Sequence, residues 1–180
     1  MPAISDAAGG EPNTDAEPPE RLSLEIVHDA GDWTWLADAE AAALEAAAAL
    51  ARHPALTFPP ASACVALSST AAVQRLNRDY RHKDKATNVL SFPADARAVL
   101  PDGIPATLGD VVLADEIVRA EAEDAGIPPR HHFQHLVVHG LLHLVGYDHE
   151  RDEEAAVMEG LEVEILRALG IADPYARAAA

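Results

Sequence analysis

The sequence predicts an α+β fold: a single domain in which a small mixed four-stranded sheet is packed with about five helices. Three observations carry this expectation. At 180 residues and 49% hydrophobic, the chain can build one sizeable core and is too short to demand two. Four short apolar or alternating runs have strand character, and longer stretches of helical composition stand between and after them. No internal repeat and no linker divides the sequence.

Residues 1–20, MPAISDAAGGEPNTDAEPPE, hold five acidic residues and no lysine or arginine, and without apolar periodicity they cannot bury enough surface to offset their ordering entropy. They read as a disordered acidic tail. This stretch lacks the basic and apolar regions of a secretory signal, and the alanine-rich run at 41–51 is interrupted by Glu45 and too short to span a bilayer, so no membrane partner and a cytoplasmic location are expected. LSLEIVH (22–28) alternates as a half-buried strand does, and the segment from about Asp38 to Arg52 has helix composition throughout. ASACVALS (61–68) is a second strand; its Cys64, the single cysteine, excludes an internal disulfide and reads as a small buried hydrophobe. SSTAAVQRLNRDY offers Ser69 or Thr70 as N-cap to a helix with Val73, Leu76 and Tyr80 on one side. RHKDKAT is a loop. NVLSF (88–92), stopped by Pro93, and LGDVVLA (108–114) supply two more strands, joined by a Pro- and Gly-punctuated segment with no regular pattern. Helices are expected from Asp115 to Ala125, from Pro128 to about Val145 and from Arg151 to Leu169, where Gly170 ends the pattern. The working domain therefore covers 21–173, and 174–180 form a C-terminal tail.

A net charge of −17 excludes a protein that grips nucleic acid with its whole surface, because neutralising phosphates needs clustered cations. The charge is uneven, however. Arg75, Arg78, Arg81, Lys83 and Lys85, five of the thirteen basic residues, fall within eleven positions and are opposed only by Asp79 and Asp84. Such a cluster is either a solvated helix face running into a loop or a local patch for an anionic strand.

The chemistry concentrates in HGLLHLVGYDH (139–149). On a helix His139 and His143 lie one turn apart and project from one face, so both imidazoles can converge on one ion. Gly146 can take the left-handed conformation that ends a helix, which lets the chain fold back and deliver His149 to the same ion. Structural zinc sites usually have four protein ligands, whereas three leave a position open, as catalytic sites do. This puts a candidate zinc site at the end of a central helix. The spacing also matches the metzincin metallopeptidases, but Gly140 stands where those enzymes carry the glutamate that serves as base. His131 and His135 continue the stripe backward; for His135 packing is favoured over an orienting contact to a ligand, and for His131 more strongly so. His28, His53, His82 and His132 carry no spacing argument.

With LNRDYRHKDKATNVLSFP at 76–93 and LGDVVLADEIV at 108–118 standing before HGLLHLVGYDH, the chain resembles the YbeY-type endoribonucleases of bacterial ribosomal RNA maturation, from about residue 21 to 171. The resemblance implies that His139, His143 and His149 hold one zinc ion (Zn2+) per chain. It implies that Arg81 lies near the metal as a catalytic residue acting on RNA. The implied activity is a zinc-dependent, single-strand-specific endoribonuclease acting at the 3′ end of small-subunit ribosomal RNA and in ribosome quality control. Its partners are then single-stranded RNA and small-subunit ribosomal RNA, with a ribosomal protein or an assembly GTPase also open. Two departures stand out: Ala86 occupies a position where a proline is frequent in the family, and the acidic segment before residue 21 has no counterpart. The resemblance also accounts for Gly140, since a zinc Lewis acid and a guanidinium can stabilise charge at phosphorus without a neighbouring glutamate. Two other readings remain at this stage. One is a metzincin-like metallopeptidase, opposed by Gly140; the other is a non-catalytic ribosome-assembly factor whose metal holds the fold, opposed by the missing fourth protein ligand.

Overall fold

Alternation along Leu22–His28 and Ala61–Ser68 produces two strands, β1 and β2, that pair in parallel from Leu22 opposite Ala61 to His28 opposite Leu67. A parallel pair needs a crossover, which helix α1 (Ala39–Arg52) supplies after a short 3-10 turn at Trp33–Trp35 that the sequence pattern did not signal. Helix α2 (Thr70–Arg81) follows β2, and Ser69 is its N-cap, the hydroxyl accepting from the Ala72 amide at 3.2 Å. Then come β3 (Val89–Pro93), β4 (Ala106–Ala114) and helices α3 (Asp115–Ala125), α4 (Pro129–Leu144) and α5 (Asp152–Ala168). This computed structural model describes residues 21–95 and 106–176; the acidic stretch 1–20, the centre of the irregular segment before β4 and the last four residues lie outside the described part. No helix among the described residues is long and apolar enough to cross a membrane.

The sheet order is β1-β2-β4-β3, parallel except where β3 runs antiparallel to β4, so the sheet is mixed and four-stranded as expected. Its pleat separates two cores. Val65, Leu67, Val111 and Leu113 are fully buried with apolar residues of α1, α4 and α5, whereas Leu90 and Val112 meet Val73 and Leu76 of α2 on the other face. Two local expectations change. Tyr80 does not share the buried face of α2: it is 70% exposed, with its ring against the edge of Phe92 at 5.5 Å. Pro93 does not stop β3 but ends it, paired with Gly109, whose φ of +124° and whose missing Cβ, 2.1 Å from the Phe92 carbonyl if added, make glycine obligatory there.

Helix α4 is the spine of the larger core. Phe133, Val137, Val138, Leu141 and Leu142 are all fully buried along it. It also comes very close to the sheet, because a Cβ at Gly140 would stand 2.5 Å from Cγ1 of Val111 and 3.2 Å from the Ser91 hydroxyl. A mid-helix glycine costs about 1 kcal/mol relative to alanine, and the close approach is what that glycine permits here.

Candidate metal centre

Three features of the local sequence bring the histidines together. First, the helical repeat places His139 and His143 on the same face of α4, with ring centroids 4.7 Å apart. Second, α4 ends in a Schellman turn: Gly146 has φ +100° and donates to the His143 carbonyl at 3.1 Å, while the Tyr147 amide donates to the Leu142 carbonyl at 3.0 Å. Third, the chain leaving that turn carries His149 back, its ring centroid 5.3 Å from that of His139 and 5.0 Å from that of His143. One ligand atom from each of the three lies within 4.8 Å of the others, so the triad can hold a metal ion.

The hydrogen bonds decide which nitrogens face inward. His143 Nδ1 is 3.0 Å from the Tyr147 carbonyl, which can only accept, so Nδ1 carries the proton. His139 Nδ1 is 2.8 Å from Oε1 of Glu162 and donates to it in the same way. In that tautomer each neutral ring presents a lone pair on Nε2, and the two Nε2 atoms stand 3.2 Å apart. Two facing lone pairs repel unless something positive lies between them. The separation is also close to the edge of a tetrahedron with metal–nitrogen bonds of 2.0–2.1 Å, about 3.3 Å. Burial pushes the His143 imidazole below its usual range, and His139 and His149 push it further the same way, so it is neutral at physiological pH. Donor chemistry, tautomers and spacing therefore all fit a cation.

Glu162 is the residue that sequence reasoning missed. It lies on α5 between the buried Met158, Leu161 and Ile165 and is 0% exposed. Burial alone would raise its pKa, but hydrogen bonds with His135, His139 and Tyr175 outweigh this and hold the carboxyl at about 2. A signal was available: a charged residue on the apolar face of an amphipathic helix is a buried charge with a partner to be found. His135 corrects a further expectation. It does not merely pack, since its Nε2 is 2.7 Å from Oε2 of the same carboxylate that binds His139.

Arg81 is not gathered into the triad. Its Nη2 donates to the Ser91 carbonyl at 2.9 Å, and the Ser91 hydroxyl in turn donates to the Gly140 carbonyl at 3.1 Å, one residue from His139. The guanidinium thus borders helix α4 through strand β3. It lines a cavity of about 530 Å³ together with Asn77, Lys83, Lys85, Thr87, Asn88 and the acidic Glu121, so three of the five clustered cations border a concave surface. Arg78 pairs with Asp79 at 2.8 Å on the exposed face instead.

Comparison with known proteins gives one consistent result. The family described as Endoribonuclease YbeY matches residues 38–170. A protein of that name from Rhodospirillum rubrum is 63% identical over 121 residues, 66% of this chain and 60% of that protein. Another from Rhodopseudomonas palustris is 49% identical over 156 residues, covering 87% of this chain and 82% of its own length. A third, from Azorhizobium caulinodans, is 47% identical over 157 residues, 86% of this chain and 97% of the relative.

Proposed function

The chain belongs to the Endoribonuclease YbeY family, and on that premise we propose that it is a zinc-dependent endoribonuclease that cuts single-stranded RNA during maturation of small-subunit ribosomal RNA. The observation that supports this most is the pair of converging Nε2 lone pairs of His139 and His143, completed by His149 from beyond the glycine turn. These three residues are the proposed zinc ligands, and Arg81 is the proposed catalytic arginine. When bound, zinc supplies a Lewis acid for charge on a phosphoryl oxygen.

The chain's own residues do the rest. Tyr147 and Glu162 hold the two helical imidazoles in the tautomer that presents Nε2. Arg81 offers a planar fork that matches two phosphate oxygens, and its bond to Ser91 fixes one arm of it in advance of binding. Lys83 and Lys85 add positive charge along the cavity, where they draw an anionic strand toward Arg81. Gly140 leaves the first turn after His139 without a carboxylate base, which favours phosphodiester over peptide chemistry. A ribosomal RNA substrate supports a cytoplasmic location, near ribosomal proteins or assembly GTPases.

The test uses the full chain on an unstructured RNA and on casein. Chelator-sensitive cutting of the RNA with casein left intact is expected, and the product ends, a 2′,3′-cyclic phosphate or a free 3′-hydroxyl, identify the nucleophile. Zinc-dependent proteolysis without RNA cleavage would reverse the assignment to the metallopeptidase reading.

A further inference from the structure

Glu162 presents an unusual arrangement for a buried charge. Its side chain is fully enclosed, yet no lysine or arginine among the described residues pairs with it. Its oxygens are instead committed to three donors. Oε1 receives His139 Nδ1 at 2.8 Å, and Oε2 receives both His135 Nε2 at 2.7 Å and the hydroxyl of Tyr175. Tyr175 stands 13 residues after Glu162 and lies beyond the residues that match the family, 38–170. Its ring stands edge-on to His135 with centroids 5.7 Å apart, so the two donors also hold each other. Burial and the Glu162 carboxylate both push the Tyr175 hydroxyl above its ordinary pKa, which keeps it a donor.

A buried carboxylate that touches the triad and has no lysine or arginine partner among the described residues calls for a positive charge nearby. The ion that the triad is built to hold is the nearest place for one, one imidazole away. We propose that Glu162 is the positioning residue of the metal centre: it fixes the His139 tautomer, aims Nε2 at the ion and balances the ion's charge, while His135 and Tyr175 clamp it from the other side. This rests on the metal reading of the triad. It makes the C-terminal segment through Tyr175 part of the centre, where the sequence marked only a tail. The bland alternative is that Glu162 simply pins α5 to α4.

The two are separated by measuring Co2+ and Zn2+ affinity of the full chain against a chromophoric chelator, together with the visible d–d spectrum of the Co2+ form. Glu162→Gln keeps the shape and an acceptor for His139 but removes the charge; its metal affinity should fall about 10–100-fold, the range for lost partners of metal-ligating histidines, with altered Co2+ bands. Tyr175→Phe removes one clamp and should weaken binding by a smaller factor, roughly 2–10-fold, and shift the bands in the same direction. Unchanged affinity and spectrum in Glu162→Gln, with only a lower melting temperature, would overturn the proposal. Should Glu162→Gln not fold, Tyr175→Phe decides alone, and wild-type affinity and spectrum in it would likewise overturn the proposal. Because the readout is metal binding, a protein that holds metal but does not cut RNA removes the proposed activity and leaves this inference standing, whereas a wild-type chain that binds no metal removes the inference itself.

Discussion

The candidate metal centre and the basic cavity lined by Arg81 are built in opposite ways. At the end of α4, each imidazole nitrogen that faces away from the candidate ion site in His139 and His143 is tied to a fixed acceptor, and one of those acceptors is a fully buried carboxylate. Around α2, the cations are exposed and partly committed to surface partners, as Arg78 is to Asp79, both more than half exposed. The first region has one geometry; the second has charge and freedom. Arg81 lies at their border: it lines the cavity and is bonded to the Ser91 carbonyl, while the Ser91 hydroxyl reaches the Gly140 carbonyl. The difference separates a rigidly held part, suited to chemistry, from a looser part suited to attraction, and surface ion pairs of the second kind contribute little to stability.

Substitutions can break this contrast, beginning with the largest expected effect. His143→Ala removes one of two helical ligands and should abolish stoichiometric metal, read by elemental analysis of purified protein, with RNA cleavage falling to background. Because binding to the folded state alone is folding free energy, its melting temperature should also drop toward that of chelator-treated wild type. Retention of one equivalent of metal would mean that the triad is not the site.

Arg81 tests the boundary between the regions. Arg81→Ala should keep metal and fold but lose roughly 10²-fold or more in cleavage at saturating RNA, the scale for one preorganised charge-stabilising donor. Arg81→Lys should recover only part, since lysine has the charge without the fork. Arg78→Ala is the comparison: a loss of about threefold or less that shrinks as salt is raised identifies general attraction. If Arg81→Ala behaves like Arg78→Ala, the arginine belongs with the patch and the catalytic assignment falls.

The smallest expected effect is on stability. Gly140→Ala puts a methyl group 2.5 Å from Val111 Cγ1, and overpacking of this kind, partly offset by better helix propensity, should cost about 1–2 kcal/mol in denaturant unfolding. A stabilised Gly140→Ala would show that α4 can lift from the sheet without strain.

What the sequence revealed follows the same division. The strands, the helices and the converging histidines were legible because each depends on periodicity within one segment: two residues per repeat in β2, one turn between His139 and His143, one glycine before the return to His149. Glu162 was hidden because its role depends on α5 packing against α4, 23 residues away in sequence from the histidine it holds, and nothing local to MEGLEVEIL announces that partner. Tyr175 had even less to mark it. The turn at Trp33–Trp35 was missed for a different reason: it is too short for any period, and its Trp33 is fixed by a long-range bond from the indole to the Ser68 carbonyl at 3.2 Å. Tyr80 misled because position on a helix face does not guarantee that a neighbour covers that face; α2 packs through Val73 and Leu76, while Tyr80 meets Phe92 of β3 and stays 70% exposed.

The contact between Gly140 and Val111 bears on how such scaffolds could exchange one chemistry for another. Residue 140 lies against the sheet, where its Cβ would already collide with strand β4. A single Gly140→Glu change would therefore drive a carboxylate into the sheet rather than install a base beside the histidines. A lineage moving from nucleic acid to polypeptide substrates along this backbone would have to hollow out position 111 first, or slide the helix, before the new acid had any use. The glycine thus locks the distance between helix and sheet, and with that distance the same histidine spacing leaves no room for the peptidase base.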